Sequence, residues 1–400
     1  MRKVTWLKSF LAIVILSLSA TSTVFAGGIL TNTNLSARYA RLLALEASIS
    51  VDAAYHNPAG TIKLPEGLHF AVANQSIFQE RKITSTFANM TGNGPKDYIG
   101  KTSSPIVPSI QGVYRQGKWA LSGSFGVVGG GGKATFNDGL PSFESGIAGL
   151  TGSINELSPL LVGAIPDASL TSKGYSLNQY IQGQSYIFGL QLGGAYQIND
   201  MFSVYGGFRL NVVSNKYDGH LTDLMLDIDA KGLGAIGFPD HSGPMDPTPI
   251  FGLVDKSDKV SQEVKGMLKL PAKMAADGAY LESKQSGWGV APIVGVHFSH
   301  RGLNIGAKYE FKATFDVESK TARDDTGMFP DGVKTDHDLP AMLSMGASYD
   351  ILPSLTASVG YHYFFDKDAE MSGGKQKLLS GNTSEYLAGI EYQINDMFLI

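Results

Sequence analysis

The chain has 400 residues, 43% of them hydrophobic, with 48 glycines, no cysteine and a formal net charge of −4, so it has room for one large domain or two ordinary ones. Without cysteine there is neither a disulfide framework nor a lipidated-cysteine anchor, and a mildly acidic balance argues against nucleic acid, whose phosphates need a basic surface. No apolar stretch beyond the N-terminus reaches 18 residues, which removes helical membrane spans; a mean hydropathy of −0.01 suits a soluble enzyme and a chain of two-faced strands equally.

Taken in chain order, Arg2, Lys3 and Lys8 form a basic start, Phe10 to Leu18 an apolar centre, and Val24-Phe25-Ala26 a small-residue cleavage site. Residues 1–26 therefore read as a secretory signal, with the mature chain starting at Gly27. Its removal leaves 29 Lys+Arg against 36 Asp+Glu, a net charge of about −7. Residues 27–66 lack strand alternation and contain helix-compatible pieces, Leu35 to Ala47 being the best. Within them, Asn57-Pro58-Ala59 reads on its own as a turn initiator, although Pro58 locks φ and Asn57 offers local hydrogen bonds, as a rigid plug would need.

From Leu68 onward the period is two. Tyr186, Phe188, Leu190, Leu192, Tyr196 and Ile198 share one face, and Gly189, Gln191, Gly193, Ala195 and Gln197 the other. Leu303, Ile305, Tyr309 and Phe311 oppose Asn304, Lys308, Glu310 and Lys312, an arrangement that places the oily side outward and suits a hydrated lumen. Parity is kept across Asn199-Asp200-Met201, Leu352-Pro353-Ser354 and Asn395-Asp396-Met397, which requires odd, three-residue turns. It flips at Gln116-Gly117 and His300-Arg301, which requires even ones. Long connections at about 81–105, 130–183, 214–285, 316–338 and 366–384 alternate with these turns, the pattern of a transmembrane antiparallel β-barrel. Ten strands and the start of an eleventh at Phe398 are expected. An open edge cannot sit in lipid, so the barrel is expected either to continue beyond Ile400, the favoured reading, or to close with ten.

Asp52-Ala53-Ala54-Tyr55-His56-Asn57-Pro58-Ala59-Gly60, the Gly129 to Glu144 segment and Leu339-Pro340-Ala341 with the following strands resemble the FadL family of outer-membrane transporters of fatty acids and hydrocarbons. The resemblance covers nearly all of the mature chain. It implies an all-β barrel of the family's 14-stranded type, of which residues 67–400 hold about 10 to 11 strands with long external loops, plugged by a hatch at residues 27–66 carrying Asn57, Pro58 and Ala59. It also implies a kinked third strand that opens sideways, here containing Gly123, Gly126 and Gly129. The implied function is passive outer-membrane transport of hydrophobic small molecules in a Gram-negative cell, long-chain fatty acids first. A monomer is expected, in contact with outer-membrane lipid and lipopolysaccharide, with no nucleic acid and no cofactor. Phe251, Leu253, Met267 and Leu268 in the third long connection are candidates for an external apolar groove or for packing on the rim. Arg209 and Lys308 are candidates for pairing with a ligand carboxylate, or with Glu310 in a lumen charge network.

The rival readings are a general or aromatic-hydrocarbon porin and, from another class, an outer-membrane lipase or protease. No catalytic set is expected: Asp336, His337 and Asp338 are adjacent loop residues that rarely converge. Likewise no His/Asp/Glu set has metal spacing, and Gly129 to Gly132 lacks the Lys-Ser/Thr and helix that phosphate binding needs.

Overall fold

A computed structural model describes residues 31–86, 95–325, 327–395 and 400; the signal expected at 1–26 and the strand start at Phe398 lie outside them. The wall is a single antiparallel sheet. Its strands are β1 (Gly67–Ser85), β2 (Lys96–Gln116), β3 (Trp119–Phe136), β4 (Ser169–Gln197), β5 (Phe202–Lys231), β7 (Ala279–His300), β8 (Leu303–Glu310), β11 (Met342–Leu352), β12 (Leu355–Phe364) and β13 (Thr383–Tyr392), each paired with the next in that order. The short β6 (His241–Met245), β9 (Asp316–Asp324) and β10 (Lys334–Asp336) extend the far end by pairing with β5, β7 and β9 respectively. Among the described residues β1 and β13 do not pair with each other, so the ten-stranded wall is open at that seam rather than closed on itself.

The strands form where the period-two pattern places them, and their faces obey it. Trp288, Val290, Val294 and Val296 on β7 are exposed, whereas the alternating Ala291, Ile293 and His297 are almost fully buried. From Trp288 to Phe298 the outward face of β7 is wholly apolar. At about 3.4 Å per residue this run is about 34 Å long, or about 26 Å along the axis of a barrel tilted by about 40°, the height of a lipid-facing band.

The turns explain the parity. Gln116 pairs with Trp119 and His300 with Leu303, leaving two-residue turns, and Asn199 to Met201 forms the expected three-residue turn, closed by Ile198 N–H donating to Phe202 O at 2.9 Å. At Pro353-Ser354 the turn has two residues rather than three. Leu352 pairs with Leu355, and a bulge after Asp350 absorbs the odd residue, which keeps the same faces aligned. The turn at Asp396-Met397 lies outside the described residues. The long connections also differ from expectation, because β1, β2, β4, β5 and β7 run on well past the apolar band as hairpins, so that much of 81–105, 130–183 and 214–285 is strand. Polar strands past the band are still laddered in water, and periodicity alone does not separate them from loops.

Helices occupy two places. Inside the wall sit α1 (Ala53–His56) and a 3-10 segment, Pro58–Lys63. At the far end α2 (Pro141–Val162), α3 (Thr248–Lys256) and α4 (Gln262–Asp277) pack on the extended hairpins over an apolar cluster that includes Ile154, Leu226, Ile228 and Ile250. No helix of the described residues is long and apolar enough to cross a membrane. The helix expected over Leu35 to Ala47 does not form. That stretch is a string of turns whose Leu35, Leu42 and Leu45 are each buried, because a plug confined by a concave wall gains more from seating each apolar side chain than from helical periodicity.

Candidate functional site: a hatch and a break in the wall

Residues 31–66 fill the inside of the wall, and Asn57 is their hub. Its Nδ2 donates to Ser48 O at 2.9 Å and lies 2.9 Å from His297 Nδ1 on β7. Pro58 starts the 3-10 turn, closed by Thr61 Oγ1 donating to Pro58 O, and Ala59 O accepts from Ser203 Oγ on β5 at 2.7 Å. Asn57-Pro58-Ala59 is thus a buried tie between plug and wall.

On one side the plug holds β12 and β13. Arg38 and Arg41 both reach Glu391, at 2.5 and 2.6 Å, and Glu46 lies 2.7 Å from His362 Nε2, whose other ring nitrogen faces Glu385 at 2.8 Å. Three laterally paired glycines, Gly306, Gly346 and Gly360, make room for this. A Cβ on Gly306 would meet Glu46 O at 2.0 Å, and one on Gly360 would meet a Glu46 carboxylate oxygen at the same distance. Without side chains the wall forms a trench in which the plug backbone lies.

On the opposite side the plug reaches β3, at the point where the wall is broken. Between the pairs Thr102↔Ala134 and Ser109↔Gly126, six residues of β2 face seven of β3 without a ladder. Gly123 lies in regular pairing below the break, Gly126 is the last paired residue and Gly129 is inside it. Gly130 and Gly132 adopt φ of 91° and 70°, which a side chain disfavours, and a Cβ on Gly130 would meet Ser185 O at 2.4 Å.

Backbone groups orphaned in a wall are costly, and here other partners take them. Asn32 donates from its backbone to Val128 O and from its side chain to Val127 O, both at 2.7 Å, and Thr31 bridges to Gly129. On the other lip Val107 N–H donates to Asn74 Oδ1 at 3.1 Å, Ser76 Oγ donates to Pro105 O at 2.7 Å, and Pro105 and Pro108 have no N–H to satisfy. Asn74, Ser76, Asn32 and Leu35 were not among the residues expected to matter. A signal existed: Pro105 and Pro108 interrupt a wall strand, and Asn74 and Ser76 interrupt the outward apolar row Leu68, Phe70, Val72 and Phe78.

An apolar cluster leads from the far end to this break. Val317, Phe315 and Leu339 pack with Val213, Ala291, Ile187, Val128, Leu35 and Tyr55. The segment after β8 turns inward to place Phe315 there. Ala313 bridges to Leu339, and the Phe315 ring lies where a Cβ on Gly289 would be, 2.5 Å away. Asp338 clasps the segment, accepting from Phe315 N–H at 3.2 Å and Glu370 N–H at 3.1 Å and pairing with Lys312 at 3.0 Å. The Asp336-His337-Asp338 run therefore contributes a structural clasp.

Arg209 on β5 and Lys308 on β8 lie under this cluster, separated by β7. Both point inward, but the hydrated lumen expected around them is absent: at 2% and 3% exposure their side chains are sealed by the plug. Arg209 forms a salt bridge with Glu310 and donates to Gln191 Oε1 at 2.7 Å. Lys308 Nζ donates to Tyr55 O at 2.9 Å, and the Tyr55 ring covers both cations, its centroid 4.7 Å from Arg209 Cζ and 4.5 Å from Lys308 Nζ.

At the far end, Phe251 and Leu268 line a concavity of about 210 Å³ between α3 and α4, with Lys265, Lys269 and Asp255 around it. Leu253 is partly buried against the neighbouring cluster, and the Met267 side chain lies outside the described residues. The helix α2 is pinned through Glu144, which accepts from Lys96, Tyr98 and Tyr175 at 2.6 to 2.7 Å and from Gln179. Burial alone would raise its pKa, but these donors outweigh that and hold the carboxyl below the usual carboxylate value. Among the described residues no group of three or more His, Asp or Glu could hold a metal.

An antiparallel wall with an apolar outside of lipid-band height and charges packed inward around a plug is the architecture of a transmembrane β-barrel. The particular fold is that of the FadL-type barrels. The chain superimposes over 92% of its length on the crystal structure of a Pseudomonas aeruginosa FadL homologue, covering 77% of that chain with a TM-score of 0.52 at 14% identity. It is also similar to the Ralstonia pickettii toluene transporter TbuX (86% and 78% covered, TM-score 0.43, 16% identity) and to the P. putida toluene transporter TodX (87% and 72% covered, TM-score 0.43, 13% identity). No protein-family model and no curated protein matches the sequence.

Proposed function

We propose that this chain carries apolar small molecules passively across the outer membrane of a Gram-negative cell, releasing them sideways through the break between β2 and β3. The observation that carries the reading is the break itself: the β2–β3 ladder stops there, Asn32 takes Val127 O and Val128 O on one lip while Asn74 and Ser76 take Val107 N–H and Pro105 O on the other, and the plug residues Asn32 and Leu35 sit at its inner mouth. The path begins at the concavity lined by Phe251 and Leu268, follows the cluster from Val317 and Phe315 to Val128, and leaves when Leu35 withdraws with the hatch. Each step transfers apolar surface between apolar surroundings, so binding affinity alone moves the ligand.

Within this class the partners of Arg209 and Lys308 favour uncharged hydrocarbons over long-chain fatty acids. Both cations already have a carboxylate, a carbonyl or a ring, and a ligand carboxylate would have to displace them. The test is accumulation of labelled toluene, oleate and methyl oleate by cells that lack their own carriers and express this chain, with liposome swelling by hydrophilic sugars alongside. Uptake of the apolar compounds without sugar permeation is expected; sugar permeation without apolar uptake overturns the reading. Arg209→Ala with Lys308→Ala should leave the ratio of oleate to methyl oleate binding unchanged, and a selective loss of oleate would restore the head-group role.

A further inference from the structure

The strand register assembles a feature that no stretch of the sequence contains. At one level of the wall Lys133 pairs with Gln184, Gln184 with Lys216, Lys216 with Lys284, and Lys284 with Lys320. Adjacent strands are about 4.8 Å apart, so four lysines and a glutamine form a row about 20 Å wide across β3, β4, β5, β7 and β9. By alternation they share the outward face of Tyr186, Val212 and Trp288, and all five are exposed or half-exposed.

Lys216, Lys284 and Lys320 stand directly opposite one another, an arrangement of like charges that destabilises a sheet unless something offsets it. The protein itself supplies little. None of the four lysine side chains forms a salt bridge or hydrogen bond among the described residues; Asp218 and Glu282 stand two residues farther out, on the diagonal, and Glu318 two residues nearer the band, where it faces Lys334 at 4.0 Å. The level is informative too: Lys284 lies four residues beyond Trp288, the last apolar outward residue of β7, or about 10 Å above the apolar band. That is head-group depth on the side of the long hairpins.

We propose that this lysine row binds the phosphates of the glycolipid that forms the outer leaflet, fixing the depth of the barrel in the membrane. The inference rests on the outer-membrane placement under Proposed function, but not on what the barrel carries. Its test uses the protein in phosphatidylcholine nanodiscs doped with bisphosphorylated lipid A or with dephosphorylated lipid A, bound lipid A being counted by native mass spectrometry.

Wild-type protein should retain the phosphorylated form selectively. Lys→Gln changes at 216, 284 and 320 should each weaken retention about fivefold, the equivalent of about 1 kcal/mol per lysine, and the triple variant about a hundredfold. Lys82→Gln, which removes a surface lysine already paired with Asp97, should change nothing. Equal retention by the triple variant, no preference for the phosphorylated lipid, or an equal loss in Lys82→Gln overturns the proposal. Failure to enter the bilayer would overturn the membrane placement with it, whereas selective retention without apolar uptake would leave the lysine row standing and remove only the transport reading.

Discussion

Removing Pro105 from β2 together with Gly130 and Gly131 from β3 brings three ladders into register at once. β2 advances three residues from Ser104 to Val107 while β1 advances two from Gln75 to Ile77. On β3 the chain advances five from Val127 to Gly132, against three on β4 from Phe188 to Ser185. Between β2 and β3 the mismatch is seven steps against eight. Deleting one residue from β2 and two from β3 makes every one of these counts equal, with Ser104 opposite Gly132 and Val107 opposite Val128. The break is therefore an insertion of three residues into an otherwise regular wall.

Five new residue pairs would add about four hydrogen bonds, Pro108 having no N–H to give. At about 1 kcal/mol net each they favour the closed wall by about 4 kcal/mol, roughly a thousandfold in population. Uptake of labelled toluene should fall to background while the amount of protein in the outer-membrane fraction stays at the wild-type level. Amide exchange on residues 103–108 should slow in parallel. A variant with those amides protected that still takes up toluene at the wild-type rate would refute the sideways route.

Two further outcomes follow from the interior and the far end. Arg209→Met alone leaves Glu310 buried without its cation and should lower stability to chemical denaturation by about 3 to 5 kcal/mol, whereas Arg209→Met with Glu310→Met should cost far less; equal losses would show that the pair does not act as a unit. Because the Glu144 carboxyl is held below its ordinary pKa, its stabilising contribution is complete above the unfolded carboxylate value and is lost as pH falls through the folded one. Acidification should therefore increase protease access to α2 in the wild type but not further in Glu144→Gln, and a pH response preserved in that variant would place the switch elsewhere.

Alternation by itself determined which side chains face lipid and which face inward, because a strand has only two faces and Trp288 to Phe298 has one oily face throughout. Turn parity determined which faces meet across the turns at Asn199–Met201, Gly117 and Arg301 for the same reason, whereas Asn57-Pro58-Ala59 read on its own only as a turn, its place in a plug coming from the family resemblance. What the tertiary structure decided depends on sequence-distant pairing. The three extra residues of the break exist only as differences between neighbouring strands, and the trench of Gly306, Gly346 and Gly360 only as their lateral alignment. The pairing of Arg209 with Glu310 beneath Tyr55 and the row from Lys133 to Lys320 likewise appear only when the register brings separate strands side by side. Periodicity reports the face of each residue; it carries no information about what stands beside it on the next strand.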